Sequence, residues 1–158
     1  MCIRDRCALI PVSSSREEAV DAALDLIDKN SLACEAVEVA KKFVNQSASN
    51  LHDHYGDMSP VHSLNNLAVV IWAFLSFQDS FDEAIGETIC CGWDTDCTGA
   101  TVGGLIGLDK GSIPESWTDP WQGRVNTAIA GVGELKLEDL VERTCKLVDQ
   151  FSSESDMD

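Results

Sequence analysis

Asn65-Asn66-Leu67-Ala68-Val69-Val70-Ile71-Trp72-Ala73-Phe74-Leu75-Ser76-Phe77 decides the fold. The stretch is apolar almost all round, and a helix of that kind in a globular chain is covered by neighbours on every side. Its apolar run from Leu67 to Phe77 is about half of what a bilayer requires, so it predicts a central core helix and no membrane span. Upstream, Val20, Ala23, Leu24 and Ile27 recur at helical spacing behind Ser14 and Ser15, and Glu17 and Glu18 are placed to complete a capping box. A helix starts near Ser15. A second stripe, Ala33, Ala36, Val37, Ala40, Phe43 and Val44, follows the caps Asn30 and Ser31 and dies out in polar residues 45–50. The segment from His52 to Ser63 holds Gly56, Asp57 and Pro60 without a sustained period and reads as a loop.

Downstream, Phe81, Ala84, Ile85, Thr88 and Ile89 form a stripe that runs to Gly92, where a helix would end. Gly99, Gly103 and Gly107 then recur every fourth residue, leaving one helix face bare so that another backbone can approach. Beyond Ile113 and Pro114 the chain is loop-rich through Trp117, Pro120 and Trp121, and a last helix places Leu137, Leu140, Val141, Thr144, Val148 and Phe151 on one side. No strand and no repeat is expected. The predicted fold class is all-α, an orthogonal or irregular helical bundle.

The 158 residues suffice for one domain with a real core. Apolar residues at 44% and charged residues at 24% are those of a folding chain. The 27 acidic and 11 basic side chains give a net charge of −16, which repels phosphate backbones and anionic membranes and argues against nucleic-acid or membrane partners. Seven cysteines, with no C-x-x-C pair and an odd count, signal neither a zinc site nor a disulfide framework; reduced thiols in a cytoplasmic setting fit best. Residues 1–6 match nothing that follows and are set aside as a non-native leader, residues 7–151 form the domain, and residues 152–158 read as a flexible acidic tail.

Chemistry is concentrated in Gly92-Trp93-Asp94-Thr95-Asp96-Cys97-Thr98-Gly99-Ala100, two carboxylates and two hydroxyls in five positions between two helices. Carboxylates at i and i+2 point about 200° apart on an ideal helix, so joint action requires Asp94 to Asp96 to be turn or extended. They can then converge on one ion, and such hard oxygen ligands select magnesium, manganese or calcium over zinc or copper. A simpler reading has Asp96 or Thr98 cap the next helix with Asp94 solvated. An EF-hand is excluded, because the last ligand position, which needs a bidentate Glu, is Leu105.

The order Pro60-Val61-His62-Ser63-Leu64-Asn65-Asn66, the apolar helix, Phe81 with Ala84-Ile85, Gly-x-Asp-Thr-Asp-Cys-x-Gly-Ala-Thr, and Ile113-Pro114 with Trp117 resembles the C-terminal half of ADP-ribosylglycohydrolases over about residues 8 to 150. The resemblance implies an all-α bundle around a dinuclear Mg2+ or Mn2+ site, with Asp94 and Asp96 as metal ligands. The residue after the second Asp commonly adds a hydroxyl ligand in that family; here it is Cys97, a softer donor, and Thr95 or Thr98 could supply the oxygen instead. The family's N-terminal half, with a second Asp-rich motif and the acidic residue linked to catalysis, has no counterpart upstream of residue 90. The chain is therefore expected to be a fragment with part of the site.

The resemblance also places His62, Asn65 and Asn66 near the site as substrate contacts or support, against a capping and loop-packing role for His62. Gly99 either admits ligand phosphates near the helix N-terminus or packs closely on another helix. Trp117 and Trp121 stack on adenine or seal a core edge. His52 and His54 are expected to be solvated. The implied activity is hydrolysis of the glycosidic bond between ADP-ribose and a protein side chain or related conjugate, and the rival is a non-catalytic ADP-ribose binder or crystallin-like structural protein. No catalytic residue is assigned.

Overall fold

The computed structural model describes residues 7–155; the expected leader 1–6 and the end of the expected tail, 156–158, lie outside the described residues. The chain divides into two compact units, one ending at Ser112 and one beginning at Ile113. Each is described by itself.

In the first unit, residues 7–9 are helical and lead into a short 3-10 turn, Ile10–Val12. Six helices follow: α1 (Arg16–Asp25), α2 (Leu32–Lys42), α3 (Ser49–Tyr55), α4 (Ser63–Ser76), α5 (Phe81–Cys90) and α6 (Thr95–Lys110). The caps do what their chemistry allows: Ser15, Ser31 and Ser80 each accept the backbone N–H of the third residue of their helix with the side-chain hydroxyl, satisfying a donor the helix itself cannot use. The apolar helix is α4, and it packs against α1, α2, α3, α5 and α6. Asn65 and the unbroken run Ala68 to Leu75 are buried. The indole N–H of Trp72 is satisfied by the carbonyls of Phe43 and Gln46 at 3.0 and 3.2 Å, which ties the end of α2 to the core.

One charged side chain is buried with the apolar ones. Arg16, 4% exposed, sends Nε to Asp109 Oδ2 at 2.9 Å and Nη1 to the carbonyls of Phe74 and Phe77 at 2.8 and 3.1 Å. Its guanidinium lies over the Phe74 ring, and Nη2 is 2.8 Å from the same Asp109 oxygen. This joins the start of α1, the end of α4 and the end of α6.

Three features differ from expectation. The segment read as a loop from His52 is partly helical, because Leu51 and Tyr55, one turn apart, are both buried and anchor α3 to α4. The second unit, otherwise α7 (Glu115–Thr118), a 3-10 turn (Asp119–Trp121) and α8 (Leu137–Ser155), contains a small antiparallel hairpin, β1 (Arg124–Asn126) with β2 (Glu134–Lys136). Strands of three residues are too short to show alternation. The α8 N-terminus is joined to this hairpin by the Leu137 N–H, which donates to the Gly123 carbonyl at 2.8 Å. The helix extends to Ser155, into the segment read as a tail. The fold is all-α apart from this hairpin.

Candidate metal centre

The acidic motif begins where α5 stops. Gly92 takes a left-handed conformation, φ 70°, as a residue just past a helix end commonly does, and its N–H donates to the Ile89 carbonyl at 3.0 Å. Trp93 follows with φ 59°, a conformation that costs a residue with a Cβ about 1 kcal/mol or more. Two left-handed residues in succession reverse the chain and deliver Asp94 to the start of α6.

Asp94 stands at the N-cap position with φ −90° and ψ 69°, and its side chain makes no capping hydrogen bond. The N-cap is therefore neither Asp96 nor Thr98, as the simpler reading had it, and the Asp94 carboxylate does not cap either. Helix α6 starts at Thr95, so the acidic stretch is not wholly turn or extended as expected: Asp96 is already helical, in the first turn, where a negative charge is favoured by the helix dipole. Convergence is reached because the boundary falls between the two acids. Donor atoms of Asp94, Asp96 and Cys97 lie within 4.8 Å of one another, a group that could hold a metal ion. Asp94 is half-buried and the other two are exposed, so the group sits at the surface. None of the ion pairs among the described residues reaches either acid.

Cys97 contributes a proton to this group. The Asp94 carboxylate accepts a hydrogen bond from its thiol, and that bond, with the negative charge of Asp94 and Asp96, holds the thiol pKa above its ordinary value of 9.0. Thr98 is buried, and its hydroxyl donates to the Asp94 carbonyl at 3.0 Å, a bond back along the helix. Thr95 is half-buried at the first helical position. Gly99 is buried, and a Cβ there would stand 2.8 Å from Ile89 Cδ1; close packing of α5 on α6 accounts for it without a ligand.

The motif before α4 reaches the acids through one residue. Asn66 Oδ1 accepts the backbone N–H of Asp94 at 3.3 Å, while its Nδ2 donates to the carbonyls of Pro60 and His62 at 2.8 and 2.9 Å. Asn65 is fully buried, donates to the Ser59 carbonyl at 3.2 Å and accepts the Asn66 N–H, so it braces the preceding loop. His62 is the exposed N-cap of α4, its Nδ1 accepting the Leu64 N–H at 3.2 Å. Trp117 and Trp121 belong to the second unit, 36% and 46% exposed.

His52 is exposed, as expected, yet it has partners: its Nε2 lies 2.5 Å from the Cys91 carbonyl and its ring stacks on Trp93, centroids 4.1 Å apart. The partners are some forty positions ahead, and no local signal in the sequence points to them. Cys91 itself is buried, and burial pushes its thiol up to about 12, so it is no nucleophile.

The family described as ADP-ribosylglycohydrolase matches residues 3–155, nearly the whole sequence. The chain belongs to the ADP-ribosylglycohydrolase family. No curated protein and no solved structure gave a match. As a member, it is a hydrolase of ADP-ribosylglycohydrolase type by lineage, in a family that is generally metal-dependent. The donor set fits a hard divalent cation from one side: two converging carboxylates suit it, whereas a soft sulfur at position 97 does not. Among the described residues, no helix is long and apolar enough to cross a membrane.

Proposed function

We propose that this ADP-ribosylglycohydrolase-family chain carries the Asp94–Asp96 half of a metal site for hydrolysing the glycosidic bond at C1″ of ADP-ribose in a modified protein or related conjugate. Water adds across that bond, giving free ADP-ribose and the unmodified side chain. The observation that carries the reading is the convergence of two carboxylates, neither engaged by a cation among the described residues, at the start of a glycine-rich helix. The Asp94 and Asp96 oxygens would hold Mg2+ or Mn2+, a dinuclear pair in the intact family arrangement. Bound there, the metal supplies orientation of ribose hydroxyls or water and stabilises developing charge.

Asn66 fixes the Asp94 backbone, and so the direction in which its carboxylate leaves the loop. Two carboxylates supply too few of the six oxygens that magnesium takes, and no side chain near them among the described residues is placed as a general acid. A second acidic segment, of the kind the family carries in its N-terminal half, completes the site in this reading. The free thiols of Cys7, Cys34, Cys90, Cys91, Cys97 and Cys145 agree with work in the reducing cytoplasm.

The test is ADP-ribose release from modified protein in excess magnesium. The 158-residue chain alone should release none, and adding a family N-terminal half, fused or in trans, should restore turnover that Asp94→Asn with Asp96→Asn abolishes. Turnover by the unaided chain that survives both substitutions sinks the reading. Binding of ADP-ribose without turnover in the reconstituted protein would favour the non-catalytic binder.

A further inference from the structure

The loop that presents the acids, Cys91 to Asp94, is bent against its own preference and is gripped from two helices. Asn66 of α4 accepts the Asp94 N–H at its far end. At its near end, His52 of α3 makes two contacts: Nε2 donates to the Cys91 carbonyl at 2.5 Å, since a carbonyl can only accept, and the imidazole stacks on the indole of Trp93 at an interplanar angle of 29°. Trp93 is the left-handed residue, φ 59°, and Cys91 is the last residue before the two left-handed positions. The histidine therefore touches both sides of the reversal that aims Asp94.

We propose that His52 is a positioning residue for the Asp94–Asp96 pair, acting through Cys91 and Trp93. The inference rests on the metal-site reading above for its functional meaning, but its structural content is independent of it. A left-handed Trp93 persists only where its surroundings over-determine it. The ring stack and the carbonyl bond supply that constraint from a helix outside the motif. Without them Trp93 relaxes toward an extended conformation, Asp94 swings, and the two carboxylates no longer hold their 4.8 Å grouping with Cys97. Partners that orient ligands without touching the metal commonly change metal affinity by about tenfold or more when removed.

Two measurements on the full chain separate the inference from the reading it rests on. Amide hydrogen exchange, in the absence of metal, is followed over residues 91–97 and over α4 as a reference. Mn2+ binding is followed by electron paramagnetic resonance with the chain complemented by a family N-terminal half. In His52→Ala, exchange over 91–97 should rise about tenfold with α4 unchanged, and Mn2+ affinity should fall about tenfold. His52→Gln, which retains an N–H for the Cys91 carbonyl but loses the stack, should recover part of both. Exchange over 91–97 that is unmoved in His52→Ala overturns the inference, as does a uniform rise over α4 that marks mere unfolding. If exchange responds as expected while the complemented native chain takes up no Mn2+, His52 does position the loop and the metal reading is what fails.

Discussion

The two ends of α6 both carry carboxylates, and they use them in opposite ways. At the C-terminal end, Asp109 faces a helix dipole that disfavours it, yet it is held by the buried Arg16 through two nitrogens. At the N-terminal end, Asp94 and Asp96 crowd together at the surface with a thiol as their close polar neighbour. The first arrangement pairs the charges inside the chain, although Arg16 Nη2 makes no hydrogen bond of its own, and it belongs to the fold. The second leaves negative charge gathered and, among the described residues, without an ion pair, which a stable fold does not require and a cation site does.

The largest effect should come from the satisfied end. Replacing Arg16 with Met leaves Asp109 and the carbonyls of Phe74 and Phe77 without their donor, and urea denaturation should show a loss of about 3 kcal/mol. A smaller effect of opposite sign is expected midway along the helix. Gly104 has nothing within 4 Å of a Cβ position, so Gly104→Ala should raise stability by about 1 kcal/mol, read as a higher melting temperature. Gly103→Ala should gain less, because its Cβ would stand 3.3 Å from Ile85 Cδ1. Smallest of all should be the effect of Asp94→Asn with Asp96→Asn on stability in metal-free buffer, within about 0.5 kcal/mol, since repulsion relieved offsets dipole attraction lost. If that double variant unfolds as readily as the Arg16 one, the two ends are alike and the acids belong to the fold.

Much of the first unit was legible because its helices announce themselves locally. Ser15, Ser31 and Ser80 stand before apolar stripes, and each caps the helix it precedes. The Asp94–Asp96 motif was legible as an acidic pair between a helix end and a glycine-rich helix, although the sequence did not show that the helix boundary would fall between the two acids. What stayed hidden was of two kinds. Helix α3 has no capping side chain, since Ala48 precedes it, and only two apolar anchors, Leu51 and Tyr55, so it carries too little periodicity to see. Arg16 and His52 were invisible for a different reason. Their roles are set by partners far along the chain, Asp109 and Cys91, and neither role shows until those partners are placed.

The contact between Gly99 and Ile89 also bears on how this sequence can drift. A methyl group at position 99 would press on the Ile89 Cδ1 at 2.8 Å, and that atom is the movable tip of a side chain, 43% exposed as a residue. The freedom of position 99 is therefore set at position 89. Among relatives, a shorter residue at 89 should accompany any residue larger than glycine at 99, and the two should change as a pair while the acids beside them stay fixed.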